Sequence, residues 1–285
     1  MISKLKKIVL VSRPISWLNT AYPFMAGYLV TGGNINITLI LATVFFIFPY
    51  NLLIYGINDV FDYESDILNP RKGGIEGMRE EKALHPAIIK SSILLCLPFI
   101  IYLLTQGDAK AKFWFIFLIF MVLAYSFAKL RFKEVPLLDS ATSSTHFVGP
   151  LIYALLLTGW QTNYLPYVLA FFLWGMASHA LGAVQDIIPD RKGKISSIAT
   201  KLGARYTTIL SFLLYLISSI ILIMQSGYSL IVGVAGLSYC INIINYLKIT
   251  DKTSASINKA WRRFIYLNLF NGFIITLVLI YTYIY

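Results

Sequence analysis

Nine apolar runs of bilayer-crossing length leave this chain few folds to choose from; they lie at residues 14–31, 37–57, 84–105, 113–128, 136–158, 164–184, 207–225, 228–247 and 264–284. A segment that long and that apolar must satisfy its own backbone inside lipid, which only a helix or a closed barrel can do. The runs are continuous rather than alternating, so they read as helices. Composition agrees: 58% of the 285 residues are hydrophobic, 13% are charged and the mean hydropathy is +0.71, outside the range of ordinary soluble domains. The run at 113–128 is short and gains length only by continuing into Lys129. The fold class is therefore all-α integral membrane, with nine transmembrane helices.

The charges between the runs set an orientation. Of 24 Lys and Arg residues, 22 fall before the first run or after the even-numbered ones, and only Lys110 and Lys112 fall on the other side. Positive residues stay in the cytoplasm, so the N-terminus is cytoplasmic and the C-terminus lies outside. Twelve of the 13 acids fall on the cytoplasmic side too, Asp108 being the exception. A net charge of +11 and a pI near 9.5 would suit a nucleic-acid binder, but this one-sided distribution is that of a polytopic protein, and no nucleic-acid partner is expected. Lys4, Lys6 and Lys7 precede a run interrupted by Arg13-Pro14 without a clear small-residue cleavage site, which reads as an uncleaved first helix. Cys96 and Cys240 both sit inside apolar runs and read as packing residues.

The chemistry starts at residues 51–74, NLLIYGINDVFDYESDILNPRKGG. If the helix continues, Asn58, Asp62 and Asp66 follow one another at i, i+4 and i+8 along one face, and Asp59 points about 100° away. Carboxylates stacked in this way repel, so the row calls for a hard cation such as Mg2+, which is commonly shared with substrate phosphates. Arg71 and Lys72 follow with positive charge. A solvated acidic helix end would look much the same. A second stretch, QDIIPDRKGK, repeats the logic after the sixth run with Asp186 and Asp190 followed by basic residues including Lys192, and Pro189 is positioned to break the helix between the two aspartates. By itself this pair reads as a solvated loop; together with the first stretch it favours a two-metal site and two related halves. Between them, YSFAKLRFK places Tyr125 and Lys129 four apart at the end of the fourth run, with Arg131 beyond. A hydroxyl and an ammonium on one face suit phosphate oxygens, although simple interfacial anchoring fits the pair equally well. Asn19, Asn51, His146 and His179 are polar residues inside apolar runs, candidates to address a second substrate or to bond between helices. His179 lies two turns before Asp186 on nearly the same face.

NDxxDxxxD after the second run, YxxxK at the end of the fourth and DxxxD after the sixth together resemble the UbiA superfamily of intramembrane prenyltransferases over nearly the whole chain. SRPISW near the start and GMASHALGAVQDIIPDRKGKISSIATKLG look most like the lycopene elongases within it. The resemblance implies a single domain: nine helices in one bundle around a central cavity open to lipid, with two Mg2+ ions and both aspartate motifs serving the diphosphate of an allylic donor. It implies metal ligands at Asn58, Asp62, Asp66, Asp186 and Asp190 with Asp59 in support, and a diphosphate grip from Tyr125 and Lys129, to which Arg71, Lys72, Arg131 and Lys192 add charge. The expected reaction moves an isoprenyl group, dimethylallyl, from its diphosphate to a lipophilic acceptor, lycopene or a related carotenoid. Asn19, His146 and His179 are candidates to face that acceptor. An aromatic, quinone-type acceptor is the alternative within the family. A divalent-cation transporter is the alternative outside it, though the acids lie on one side only and a transport path needs access from both.

Overall fold

Pro49, in the middle of the second apolar run, has no N–H to give, and the helix around it is built to make good the loss. The computed structural model describes residues 4–63, 67 and 82–284, and every regular element among them is helical. These are α1 (Lys4–Val11), α2 (Trp17–Val30), α3 (Ile37–Ile47), α4 (Pro49–Asn51), a π turn (Leu52–Gly56), α5 (Ile57–Phe61), α6 (His85–Leu103), α7 (Ala109–Ser126), α8 (Leu138–Thr158), α9 (Leu165–Val184), α10 (Ile187–Lys192), α11 (Ile198–Ile223), α12 (Ser229–Ile243) and α13 (Asn258–Ile284). All the apolar runs are helical over most of their length. Seven helical stretches among the described residues are long and apolar enough to cross a membrane. The runs outside that set contain α2, only 14 residues long, and α8, whose first half is rich in Ser and Thr.

Around Pro49 the end of α3 is short of backbone donors, because Pro49 has no N–H to offer. The buried Asn51 amide donates to Phe46 O at 2.7 Å and Ile47 O at 2.9 Å, and the Thr20 hydroxyl donates to Phe46 O at 2.7 Å. Cys96 Sγ donates to Pro49 O at 3.1 Å, and Ser92 Oγ approaches Leu52 O at the start of the π turn at 3.4 Å. Asn51 is thus a backbone plug between helices, the less specific of its two readings.

Contacts divide the chain into two compact units, 1–132 with 145–160 and 133–144 with 161–285. The first is centred on rings: Phe24, Phe45, Phe46, Tyr50, Phe115 and Tyr153 are all fully buried, in tilted and edge-on pairs such as Phe45–Tyr50 at 5.7 Å and Phe46–Tyr50 at 5.1 Å. In the second, Tyr215 stacks on Tyr239 at 5.1 Å and Trp261 on Phe264 at 5.0 Å.

Helix ends correct the sequence in places. Asp108, the lone acid assigned to the outer side, caps α7 by accepting from Ala111 N at 2.9 Å, so α7 starts early and reaches 18 residues without Lys129. It stops at Ser126, where Phe127 turns extended (φ −60°, ψ 130°), so Tyr125 and Lys129 do not share a helical face.

Asn51→Leu removes the donor to two buried carbonyls and should destabilise the detergent-purified protein by about 2 kcal/mol. A melting temperature equal to that of the unaltered chain would show that the break at Pro49 needs no side-chain donor.

Candidate functional site

In the first unit, α5 is short because Asp62 closes it, with φ −100° and ψ 0° and its N–H bonded to Asn58 O at 2.9 Å. Asn58 Oδ1 accepts from Ser126 Oγ at 3.0 Å, which ties α5 to the end of α7. Asp62 Oδ1 lies 3.7 Å from Arg131 Nη2, an ion pair longer than a hydrogen bond. Asp59 turns the other way, as its register predicts, and is buried. Its Oδ1 accepts from Arg13 Nη2 at 2.9 Å, and the Arg13 guanidinium also lies over the Tyr55 ring at 4.3 Å. Tyr125 sits edge-on to the His146 ring at 5.3 Å, and the His146 Nε2–H points at Met121 O at 3.4 Å, since a carbonyl can only accept. Lys129 is exposed in the turn after α7. Asn19 is half-buried on α2 and makes no side-chain hydrogen bond among the described residues. Asp66, Arg71 and Lys72 lie outside the described residues.

In the second unit the helix breaks earlier than Pro189 suggested. It ends at Val184, Gln185 and Asp186 form a turn, and Pro189 sits inside the first turn of α10, where a missing N–H costs nothing. Asp186 is therefore the N-cap of α10 and Asp190 lies one turn on, its N–H bonded to Asp186 O at 2.8 Å. The break leaves the two acids in one turn instead of separating them. Arg191 is held away for structural work: it donates to Asp251 Oδ2 at 2.6 Å and Thr200 O at 3.0 Å, while Asp251 Oδ1 receives Ala204 N at 2.7 Å. Gly203 (φ 79°) makes the bend that frees that N–H, in a conformation costly for other residues. Lys192, the last residue of α10, is exposed.

His179 leads to residues the sequence analysis passed over. Its Nδ1 is 3.0 Å from Ser140 Oγ, and Ser140 in turn meets the fully buried Asp139. Asp139 lies inside a run read as apolar, and a carboxylate in such a place is itself the warning. Arg13 gave less away, as one more cation ahead of a first helix.

A divalent cation fits these donors. No group of three or more His, Cys, Asp or Glu gathers among the described residues, and Asp66 is not among those residues. Asp59 Oδ2, however, is buried with no hydrogen-bond partner among the described residues, and an orphaned carboxylate oxygen in low dielectric is costly unless a cation or donor reaches it. The oxygen-only set of Asn58, Asp59 and Asp62 suits Mg2+ in kind.

Arg13→Met would strand the Asp59 carboxylate, and losing one member of so buried a pair should cost about 3 kcal/mol. Adding Asp59→Asn should restore most of it. Equal melting temperatures for the single and double variants would assign Arg13 no such task.

The profile of the UbiA prenyltransferase family matches residues 20–270. Lycopene elongase/hydratase of Corynebacterium glutamicum is 44% identical over 282 residues, 98% of this chain and 98% of that one. A UbiA homolog from Archaeoglobus fulgidus, solved bound to GPP and Mg2+, shares the fold with a TM-score of 0.68 at 16% identity, over 93% of this chain and 99% of its own. The structure of a UbiA homolog from the same organism bound to DMAPP and Mg2+ gives a TM-score of 0.65 at 18% identity, over 93% and 98%. With a family match across most of its length and a relative this similar from end to end, the chain belongs to the UbiA prenyltransferase family.

Proposed function

We propose that this prenyltransferase transfers a dimethylallyl group from its diphosphate to the end of lycopene or a closely related carotenoid. The observation that carries the reading is the 44% identity, over nearly both full lengths, to a protein named lycopene elongase/hydratase. The homologs solved with DMAPP or GPP and Mg2+ support an isoprenyl diphosphate donor and a magnesium requirement. All nine helical segments cross the bilayer as one domain, with the N-terminus and the acid-bearing loops in the cytoplasm and the C-terminus outside. The one-sided distribution of 22 of the 24 basic residues supports this orientation.

Asn58, Asp62 and Asp66, with Asp59 in support, would hold one Mg2+, and Asp186 with Asp190 would hold a second. Ions bound there would supply Lewis-acid neutralisation of the diphosphate as the allylic C–O bond breaks. The side chains do the rest. Arg131, already beside Asp62, Lys129 and Tyr125 bind diphosphate oxygens, and Arg71, Lys72 and Lys192 add charge. Each donor placed where negative charge builds lowers the barrier. The apolar surroundings keep bulk water from the allylic cation. A terminal double bond of the acceptor attacks that cation, and the new cation is resolved by proton loss or water capture. His179 faces the acceptor, with Asn19 a further candidate; His146, its ring nitrogen and carbonyl already engaged in packing, is the weakest of the three.

A host making lycopene should accumulate elongated carotenoid only when it carries this chain; unchanged pigment would overturn the acceptor assignment. In membranes, exhaustive EDTA should abolish transfer and Mg2+ restore it, and Asp62→Ala and Asp190→Ala should each lose at least about 10²-fold in turnover. Full activity after chelation would remove the metal sites. Lys129→Met should lower turnover more than Lys133→Met does; equal losses would mean that the loop acts through summed charge alone.

A further inference from the structure

Asp186 and Asp190 stand on a turn and a helix too short to fix their own direction. α10 has six residues, fewer than a helix needs to persist by itself, so the aim of the acids is set by whatever grips the chain on either side of them. Both grips come from one segment. The 3-10 helix Asp251–Ile257, a strap, runs straight into Asn258, the first residue of α13. At this end the Asn258 amide donates to Oε1 of the buried Gln185, immediately before Asp186, at 2.7 Å. At the other end Asp251 Oδ2 accepts from Arg191, immediately after Asp190, at 2.6 Å. Between the two grips, Ile187 of α10 and Ile257 of the strap are both fully buried in the core of the second unit.

The Arg191–Asp251 end is more elaborate than a surface ion pair requires. Arg191 Nη2 also donates to Thr200 O at 3.0 Å, and Asp251 Oδ1 receives Ala204 N at 2.7 Å, so both arms of the guanidinium and both carboxylate oxygens are engaged. Gly203 turns left-handed beside them, and a side-chain carbon there would come within 3.1 Å of Asp251 Oδ1. Yet the two side chains are 47% and 39% exposed, and an ion pair so open to solvent adds little to stability. Nor does the strap need Asp251 to begin, since Thr250 and Thr253 form a reciprocal box at its start. What these bonds do fix is the path of the chain as it leaves Asp190.

We infer that Asp251, Arg191, Asn258 and Gln185 are positioning residues for Asp186 and Asp190: the strap holds the acid-bearing turn by both ends, so that the two carboxylates keep the placement on which uptake of Mg2+ with a diphosphate depends. This rests on the reading that Asp186 and Asp190 serve the donor diphosphate. Arg191, the basic residue nearest to Asp190 in the sequence, is turned to the strap and acts through Asp251 rather than on the substrate.

The test uses purified full-length protein in detergent and two readouts. One is the Mg2+ concentration that gives half-maximal transfer from dimethylallyl diphosphate to lycopene; the other is the rise in melting temperature on adding Mg2+ with inorganic diphosphate, which reports binding without turnover. Asp190→Ala sets how much of each signal the second pair of acids supplies. Residues that orient metal ligands contribute about 10–100-fold, so Arg191→Met and Asp251→Asn should each raise the Mg2+ requirement about tenfold or more in both readouts, with the ligand-free melting temperature close to that of the unaltered chain. Their double variant should be no worse than the worse single, since both cut one link, and Arg191→Lys should fall less far than Arg191→Met. Adding Asn258→Ala to Asp251→Asn should multiply the loss, because it releases the other end. Lys252→Met removes an equal charge from an exposed position on the strap and should leave the requirement unchanged. Loss from Arg191→Met without loss from Asp251→Asn would overturn the inference and put Arg191 on the diphosphate itself. An Mg2+ requirement unchanged in both, whatever the melting temperature does, would overturn it too and leave the strap a brace. Should Asn258→Ala fail to accumulate, the exposed Arg191–Asp251 pair decides. Mg2+ responses of Asp190→Ala identical to those of the unaltered chain would sink the reading of Asp186 and Asp190 itself, and the inference with it.

Discussion

A carbonyl without a donor inside hydrocarbon costs several kcal/mol, and much of the first unit follows from meeting that cost around Pro49. The proline ends the regular ladder of α3. Asn51, Thr20 and Cys96 then supply the donors that the backbone no longer can. Because these donors come from α2, α4 and α6, the repair also fixes where those helices meet. The π turn at Leu52–Gly56 widens the helix just before the acids, a distortion common beside functional sites. Asn58, Asp59 and Asp62 therefore extend from a segment whose packing is settled upstream.

The acids are best sorted by what they bond. Asp108 caps a helix, and Asp251 joins Arg191 to the bend at Gly203; both are committed to architecture. Asp59 makes a short bond to Arg13, whose side chain also lies over Tyr55, so it is better suited to support than to exchange partners. Asp62 lies 3.7 Å from Arg131. Asp59 and Asp62 thus meet different cations, Arg13 and Arg131, a distinction that two aspartates three residues apart in a sequence do not announce.

The helices were legible because hydropathy sums over many residues and survives local exceptions. Their ends were not, because an end depends on one or two side chains: Asp108 moved the start of α7, and Phe127 stopped it before Lys129. The same averaging that finds an apolar run hides a single acid within it, and so Asp139 went unremarked. Pro189 misled for a related reason. Proline is a breaker in the interior of a helix but welcome in its first turn, and which applied depended on a turn at Gln185–Asp186 that no residue type there required. The acidic and basic motifs were readable as motifs, since spacing is a property of sequence. The bonds of Arg13 and Ser140 were not, since each joins segments far apart in the chain.

Backbone conformation adds an independent argument about where the structure carries its cost. Four non-glycine residues among those described adopt left-handed φ: Arg13 (50°), Arg131 (43°), Leu137 (72°) and Lys194 (57°). Such a conformation costs an ordinary residue about 1–2 kcal/mol and persists only where its surroundings over-determine it. Arg13 and Arg131 each deliver a guanidinium to an aspartate of the first acidic stretch. Leu137 stands two residues before Asp139, and Lys194 four residues after Asp190. None of the four falls within the helices that make up the bulk of the fold. Chain propensity would have placed glycine or asparagine at such turns, yet two of them carry arginine. At those two positions an ion pair with an aspartate, rather than ease of turning, accounts for the residue.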